Sequence, residues 1–79
     1  MTELALSALR PGDRAVIRHL HTATPLVRQR LLELGMTRGV LVELIRVAPL
    51  GDPLEVKIKG YRLSLRKVEA EAIVVRKEK

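Results

Sequence analysis

The chain has no cysteine, no tryptophan and no phenylalanine, and Tyr61 is its single aromatic residue. Without cysteine there are neither disulfides nor thiolate ligands for a metal, which fits a reducing compartment. One ring cannot line a groove of the kind that receives polyproline peptides, and it cannot stack the successive bases of a single-stranded nucleic acid. No apolar run approaches the length of a membrane span, and Met1-Thr2-Glu3 lacks the basic region that opens a signal peptide. The expectation is a cytoplasmic protein. Catalytic signatures are missing too. No Ser, His and Asp set stands in a recognisable motif and no G-x-x-x-x-G-K phosphate loop occurs, so the chain reads as a non-enzyme.

What remains is an aliphatic, basic chain of 79 residues, enough for one domain over residues 1–79. Apolar residues make up 47%, too many for a disordered protein. Fifteen basic residues against nine acidic ones give a formal charge of +6. Apart from the tail Arg76-Lys77-Glu78-Lys79 they are spread along the chain, the pattern of a solvated surface. The alternative is a small basic barrel that binds nucleic acid through phosphates, which predicts duplex binding that weakens steeply with salt.

The organising stretch is Thr24-Pro25-Leu26-Val27-Arg28-Gln29-Arg30-Leu31-Leu32-Glu33-Leu34-Gly35-Met36. Thr24 is placed to cap a helix, and Pro25 suits the first helical position, where its missing N–H costs nothing. Val27, Leu31 and Leu34 recur at i, i+4 and i+7, a stripe that must face a core. Gly35 suits the left-handed residue after the helix, with Met36 folding back as the apolar contact of a Schellman cap. So short a helix is marginal by itself, and sheet has to cover it.

The rest of the chain supplies that sheet. Arg10-Pro11-Gly12-Asp13 is a turn, followed by a strand over Arg14–Leu20 with Ala15, Ile17 and His19 on one face. The segment His21-Thr22-Ala23 leads on to the helix. Val40–Val47 reads as a central strand, nearly continuous in apolar character. Ala48-Pro49-Leu50-Gly51-Asp52-Pro53 is a loop, since two prolines cannot stay in a ladder. Leu54–Lys59 alternates with Leu54, Val56 and Ile58 inward. Gly60 permits a reversal, and Tyr61, Leu63 and Leu65 alternate in the next strand. Residues 66–70 read as a helical turn and Ala72–Val75 as a last strand. The sum is a mainly β fold, a partly open barrel of five short strands with one helix, at about residues 25–34, between the first and second strands.

Taken together, Leu9-x-Pro11-Gly12, Arg30-Leu31-Leu32-Glu33-Leu34-Gly35-Met36, the loop from Ala48 to Pro53, Ser64-Leu65-Arg66 and Glu69-Ala70 resemble the FeoA family, the small cytoplasmic component of bacterial ferrous iron transport. The resemblance runs from about Leu4 to about Val75. It implies an SH3-like barrel without catalytic activity or cofactor that acts with FeoB, a membrane transporter whose cytosolic part carries a GTP-binding domain. Contact with the membrane would then be indirect and no nucleic acid is expected as partner. The same module occurs fused to metal-dependent repressors, so fold alone does not fix the partner.

His19 and His21 lie two apart, as two imidazoles offered to a metal would, but without cysteine they make an incomplete ligand set, and no metal site is assigned. Leu50, between proline and glycine at a rigid loop tip, is a natural interface anchor, with folding back onto the barrel as its alternative. Asp52 of the same loop joins it. Arg28 and Arg30 stand either as solvated helix surface or as contacts to acidic groups of a partner, with the stem of Arg30 packed on the barrel. Exposed sheet edges also allow a homo-oligomer.

Overall fold

Thr24 and Gly35 bracket the central helix where the sequence reading expects its ends. A computed structural model describes residues 2–21 and 24–78; the connecting residues Thr22 and Ala23, with Met1 and the tail residue Lys79, lie outside them. Helix α1 runs Pro25–Glu33, and the Thr24 hydroxyl accepts the Val27 N–H at 3.4 Å. At its other end Gly35 has φ of +96°, a conformation that L side chains resist. The amides of Gly35 and Met36 donate to the carbonyls of Leu32 and Leu31, each at 3.0 Å. That is the Schellman pair of bonds, and it turns Met36 inward to complete burial. The Tyr61 hydroxyl donates to the Leu34 carbonyl at 2.8 Å, so the single ring clamps the helix end to the sheet.

The stripe on α1 is less even than its spacing suggests. Leu31 is fully buried, whereas Val27 and Leu34 are half-buried against the core. Nine residues carry one complete anchor, so the helix depends on that leucine and on its two caps.

The strands are β1 (Glu3–Ala5), β2 (Arg14–Leu20), β3 (Leu41–Val47), β4 (Leu54–Ile58), β5 (Tyr61–Leu65) and β6 (Ile73–Lys77). They form one antiparallel sheet in the order β1-β6-β2-β3-β4-β5. The expected five strands are therefore six, and α1 lies between the second and third. The added strand is only three residues long, too short to show a period of two. It owes its conformation to pairing with β6, in which Leu4 faces Val75, and to the burial of Leu6 immediately after it.

The edge strands β1 and β5 do not pair with each other, which leaves the barrel partly open. A 3-10 turn, Leu6–Ala8, follows β1, and helix α2, Lys67–Glu71, follows β5; these two pack together. Inward residues of β2 through β6 meet Leu6, Leu31 and Met36 in a single aliphatic cluster. As expected, Leu54, Val56 and Ile58 are all buried. His19 is not on the inner face with Ala15 and Ile17: a bulge between Ile17 and His19 shifts the alternation and leaves the imidazole exposed.

The turn before β2 is closed from both sides. The Asp13 N–H donates to the Arg10 carbonyl at 2.9 Å, and the Asp13 carboxylate accepts the Arg10 N–H at 2.8 Å. That amide bond holds the Asp13 carboxyl below its ordinary pKa, with Lys77 acting in the same direction and desolvation opposing both. A carboxyl whose folded pKa is depressed contributes stability that is present above its unfolded value of about 3.9 and is lost as pH falls through the folded one. Asp13→Asn is therefore expected to flatten the pH dependence of stability below about pH 4 and to leave the slope at higher pH unchanged. Urea midpoints measured across that range check it.

Candidate protein-docking face

Proline at position 49 and glycine at position 51 shape the loop between β3 and β4. The Gly51 N–H donates to the Ala48 carbonyl at 2.7 Å, which makes Ala48–Gly51 a tight turn with proline at its second position. The Ala48 N–H donates to the Pro53 carbonyl at 3.0 Å and closes the loop at its base. Leu50, at the third position of the turn, is 98% exposed and does not fold back onto the barrel. A leucine fixed this far into water is held there by backbone geometry rather than by contacts of its own.

Asp52 has a different occupation. Its Oδ1 accepts the N–H of Lys67 at 3.0 Å and so caps the first turn of α2, tying the loop to that helix. Two residues on, the polar chain continues. Glu69 is buried, and its Oε1 accepts the Arg66 N–H at 2.8 Å while its Oε2 accepts the Nε of Arg30 at 2.6 Å. Arg30 keeps 57% of its side chain in water while its Nε reaches the carboxylate, of which only 6% is exposed. Arg28 lies two residues earlier in α1 and donates from a guanidinium nitrogen to the Leu20 carbonyl at 3.4 Å.

The four residues singled out from the sequence, Arg28, Arg30, Leu50 and Asp52, thus lie on elements joined through α2. Leu50 and Asp52 are linked to Arg30 through Lys67, Arg66 and Glu69. Arg28 is bonded away from this chain, to the end of β2. Between α1 and the start of α2 runs an open groove of about 540 Å³ lined by Leu26, Arg30, Glu33, Arg66 and Glu69 among others. Leu26 is 78% and Val68 is 61% exposed, so with Leu50 each of the three elements that the polar chain connects holds an aliphatic side chain out in solvent.

Sequence reasoning did not find Leu26, Val68 or the function of Glu69. Leu26 precedes the apolar stripe by one residue and reads as an ordinary part of a helix start. Val68 sits in a helix of five residues, too short for any helical period. The available signal for Glu69 is its position three residues after Arg66, the spacing of a carboxylate that caps a helix start.

His19 and His21 are both exposed, and the His21 N–H is engaged with the Ala72 carbonyl at 2.6 Å. Among the described residues no group of three or more His, Asp or Glu side chains is arranged to hold a metal ion. No helix of the described chain is long and apolar enough to cross a membrane.

The sequence profile of the FeoA domain family matches residues 4–77. The chain belongs to the FeoA family. It is 38% identical over 72 residues to an Fe(2+) transport protein A/Fe(2+) transporter FeoB fusion protein of Porphyromonas gingivalis; the matched part is 91% of this chain and 8% of that one. The chain thus spans a small fraction of that relative, in which FeoA and FeoB are parts of one polypeptide. The solution structure of the FeoA protein from Chlorobium tepidum is 46% identical and superposes with a TM-score of 0.83, covering 92% of this chain and 69% of that one. FeoA from Stenotrophomonas maltophilia, solved in complex with zinc, is 32% identical with a TM-score of 0.82 and 96% coverage of both chains. That protein is described as a prokaryotic SH3 domain protein and put forward as a ferrous iron transport activating factor. The six-stranded barrel is the same SH3-like FeoA fold.

Proposed function

We propose that the chain is a non-catalytic accessory protein of ferrous iron uptake, working in the cytoplasm by docking on the cytosolic part of an FeoB-type transporter. The observation that carries this reading is the Porphyromonas gingivalis protein, in which an FeoA sequence related to this one shares a polypeptide with FeoB. Covalent fusion raises the effective concentration of two modules for each other, which favours pairs that work in contact. The surface assigned to docking is the Leu50 loop with the neighbouring edges of α2 and α1. Leu50 supplies a preordered apolar anchor, and Arg30 supplies charge at its border, with Arg28 held toward the end of β2.

Action on the transporter follows from differential affinity. A module that binds one nucleotide state of the GTP-binding domain more tightly shifts the population toward that state, and one that binds all states equally shifts nothing. In an isothermal titration with the soluble cytosolic domain of an FeoB-type transporter, Leu50→Asp is expected to weaken binding at least about tenfold. Its circular dichroism spectrum and melting temperature should match the parent, because Leu50 makes no core contact. Undiminished affinity in that variant removes the loop from the interface.

A further inference from the structure

We infer that the free edge of β5 pairs two copies of this chain, antiparallel and in one register. Lys59 and Gly60, with φ of +47° and +84°, form a two-residue turn between β4 and β5. Turns of that type close on a hydrogen-bonded pair, here Ile58 and Tyr61. Alternation along the ladder then turns Tyr61, Leu63 and Leu65 toward β4 for their main-chain bonds and points the N–H and C=O groups of Arg62 and Ser64 away from it. Among the described residues no other strand lies on that side, and both residues are exposed.

Such an edge accepts an antiparallel strand in three registers centred within β5. Setting Arg62 against Arg62 of the second copy, or Ser64 against its Ser64 with Arg62 against Arg66, places arginines directly opposite each other, which opposes pairing. The remaining register sets Arg62 against Ser64 of the other copy, twice by symmetry, so that no arginines stand directly opposite and the two Arg62 side chains are diagonal neighbours. One strand beyond Ser64 lies Glu55, which already holds Arg62 of its own chain at 3.5 Å and so presents a carboxylate to the incoming arginine as well. On the inner face Leu63, half-buried in the single chain, meets Leu63 of the second copy, while the backbone of Tyr61, 46% exposed, lies opposite that of Leu65, whose side chain is already enclosed in its own core. The edge is complementary to itself, which commits it to a second copy. The contact is small, so association should be weak and dependent on concentration.

Sedimentation velocity on the full chain is expected to show monomer at micromolar concentration and dimer at about 1 mM, since contacts below about 1,200 Å² are of the weak class. Ser64→Pro removes an N–H that β4 does not use, and should weaken the dimer at least about tenfold while the chain stays folded. Ser64→Arg, which keeps that N–H and gains Glu55 as a neighbour, faces Arg62 of the second copy and should also dissociate it, less so at high salt. In a mixed isotope-labelled sample, an intermolecular Hα–Hα contact between Tyr61 and Leu65 marks the register. A monomer at every concentration, a dimer that neither substitution weakens, or assembly beyond a dimer overturns the inference. Leu50→Asp should dimerise as the parent does, which separates this edge from transporter docking.

Discussion

Leu31→Ala lowers the free energy of unfolding by about 2–5 kcal/mol, the range for a leucine removed from a closed core. For a domain of this size each kcal/mol moves the melting temperature by roughly 4–8 °C, so the loss is at least about 8 °C. Leu31 is the one residue of α1 that is completely buried, and it enters the cluster that the inward residues of β2 through β6 also form. A helix of nine residues has little stability of its own, so its remaining supports are the Thr24 and Gly35 caps and the clamp from Tyr61. Leu34→Ala, at a half-buried position, should cost clearly less, and Leu32→Ala, at a residue 43% exposed, should be close to neutral. Thermal melts of the three variants followed in the far ultraviolet test this order, and equal losses would contradict it.

Glu69→Ala is expected to cost about 2–3 kcal/mol, because it strips partners from two donors at once and leaves a space beside α2. Its carboxylate satisfies the amide at the start of α2 and the Nε of Arg30. Arg30→Ala should cost less than the full penalty for breaking a buried pair, since the arginine is largely solvated and Glu69 retains its bond to Arg66. The two substitutions share one interaction, so their combined effect should fall short of the sum. Urea unfolding of both single variants and the double variant measures that coupling, and strict additivity would contradict the pairing. Arg30 therefore supports the fold as well as standing at the proposed docking face, and its removal should lower stability and affinity together. Leu50→Asp should lower affinity alone.

Much of the architecture was legible because short-range chemistry states it. Thr24-Pro25 and Gly35-Met36 mark the two ends of α1 by capping requirements that no tertiary contact has to supply. The alternation Leu54-Glu55-Val56-Lys57-Ile58 determines which face of β4 turns inward. Where the reading failed, the deciding interaction is long-range. The strand β1 exists through pairing with β6, some seventy residues away along the chain. The exposure of His19 follows from a bulge that alternation cannot reveal. Of the candidate surface, Leu50 was legible from its position between proline and glycine. Val68 and Leu26 were not, because a short helix and a helix start expose apolar residues without any periodic trace. The link from Asp52 to Lys67 and from Glu69 to Arg30 joins parts of the chain that only the closed barrel brings together.

The claim on which the functional account depends is that this protein acts through one surface, the Leu50 loop with the adjoining edges of α2 and α1. Amide chemical-shift mapping of the labelled chain, titrated with the unlabelled cytosolic domain of an FeoB-type transporter, tests it most directly. The largest changes should fall at Leu50, Gly51, Lys67, Val68 and Arg30, with β1 and β6 undisturbed. Changes confined to β1 and β6, or none at saturating partner, would contradict the account.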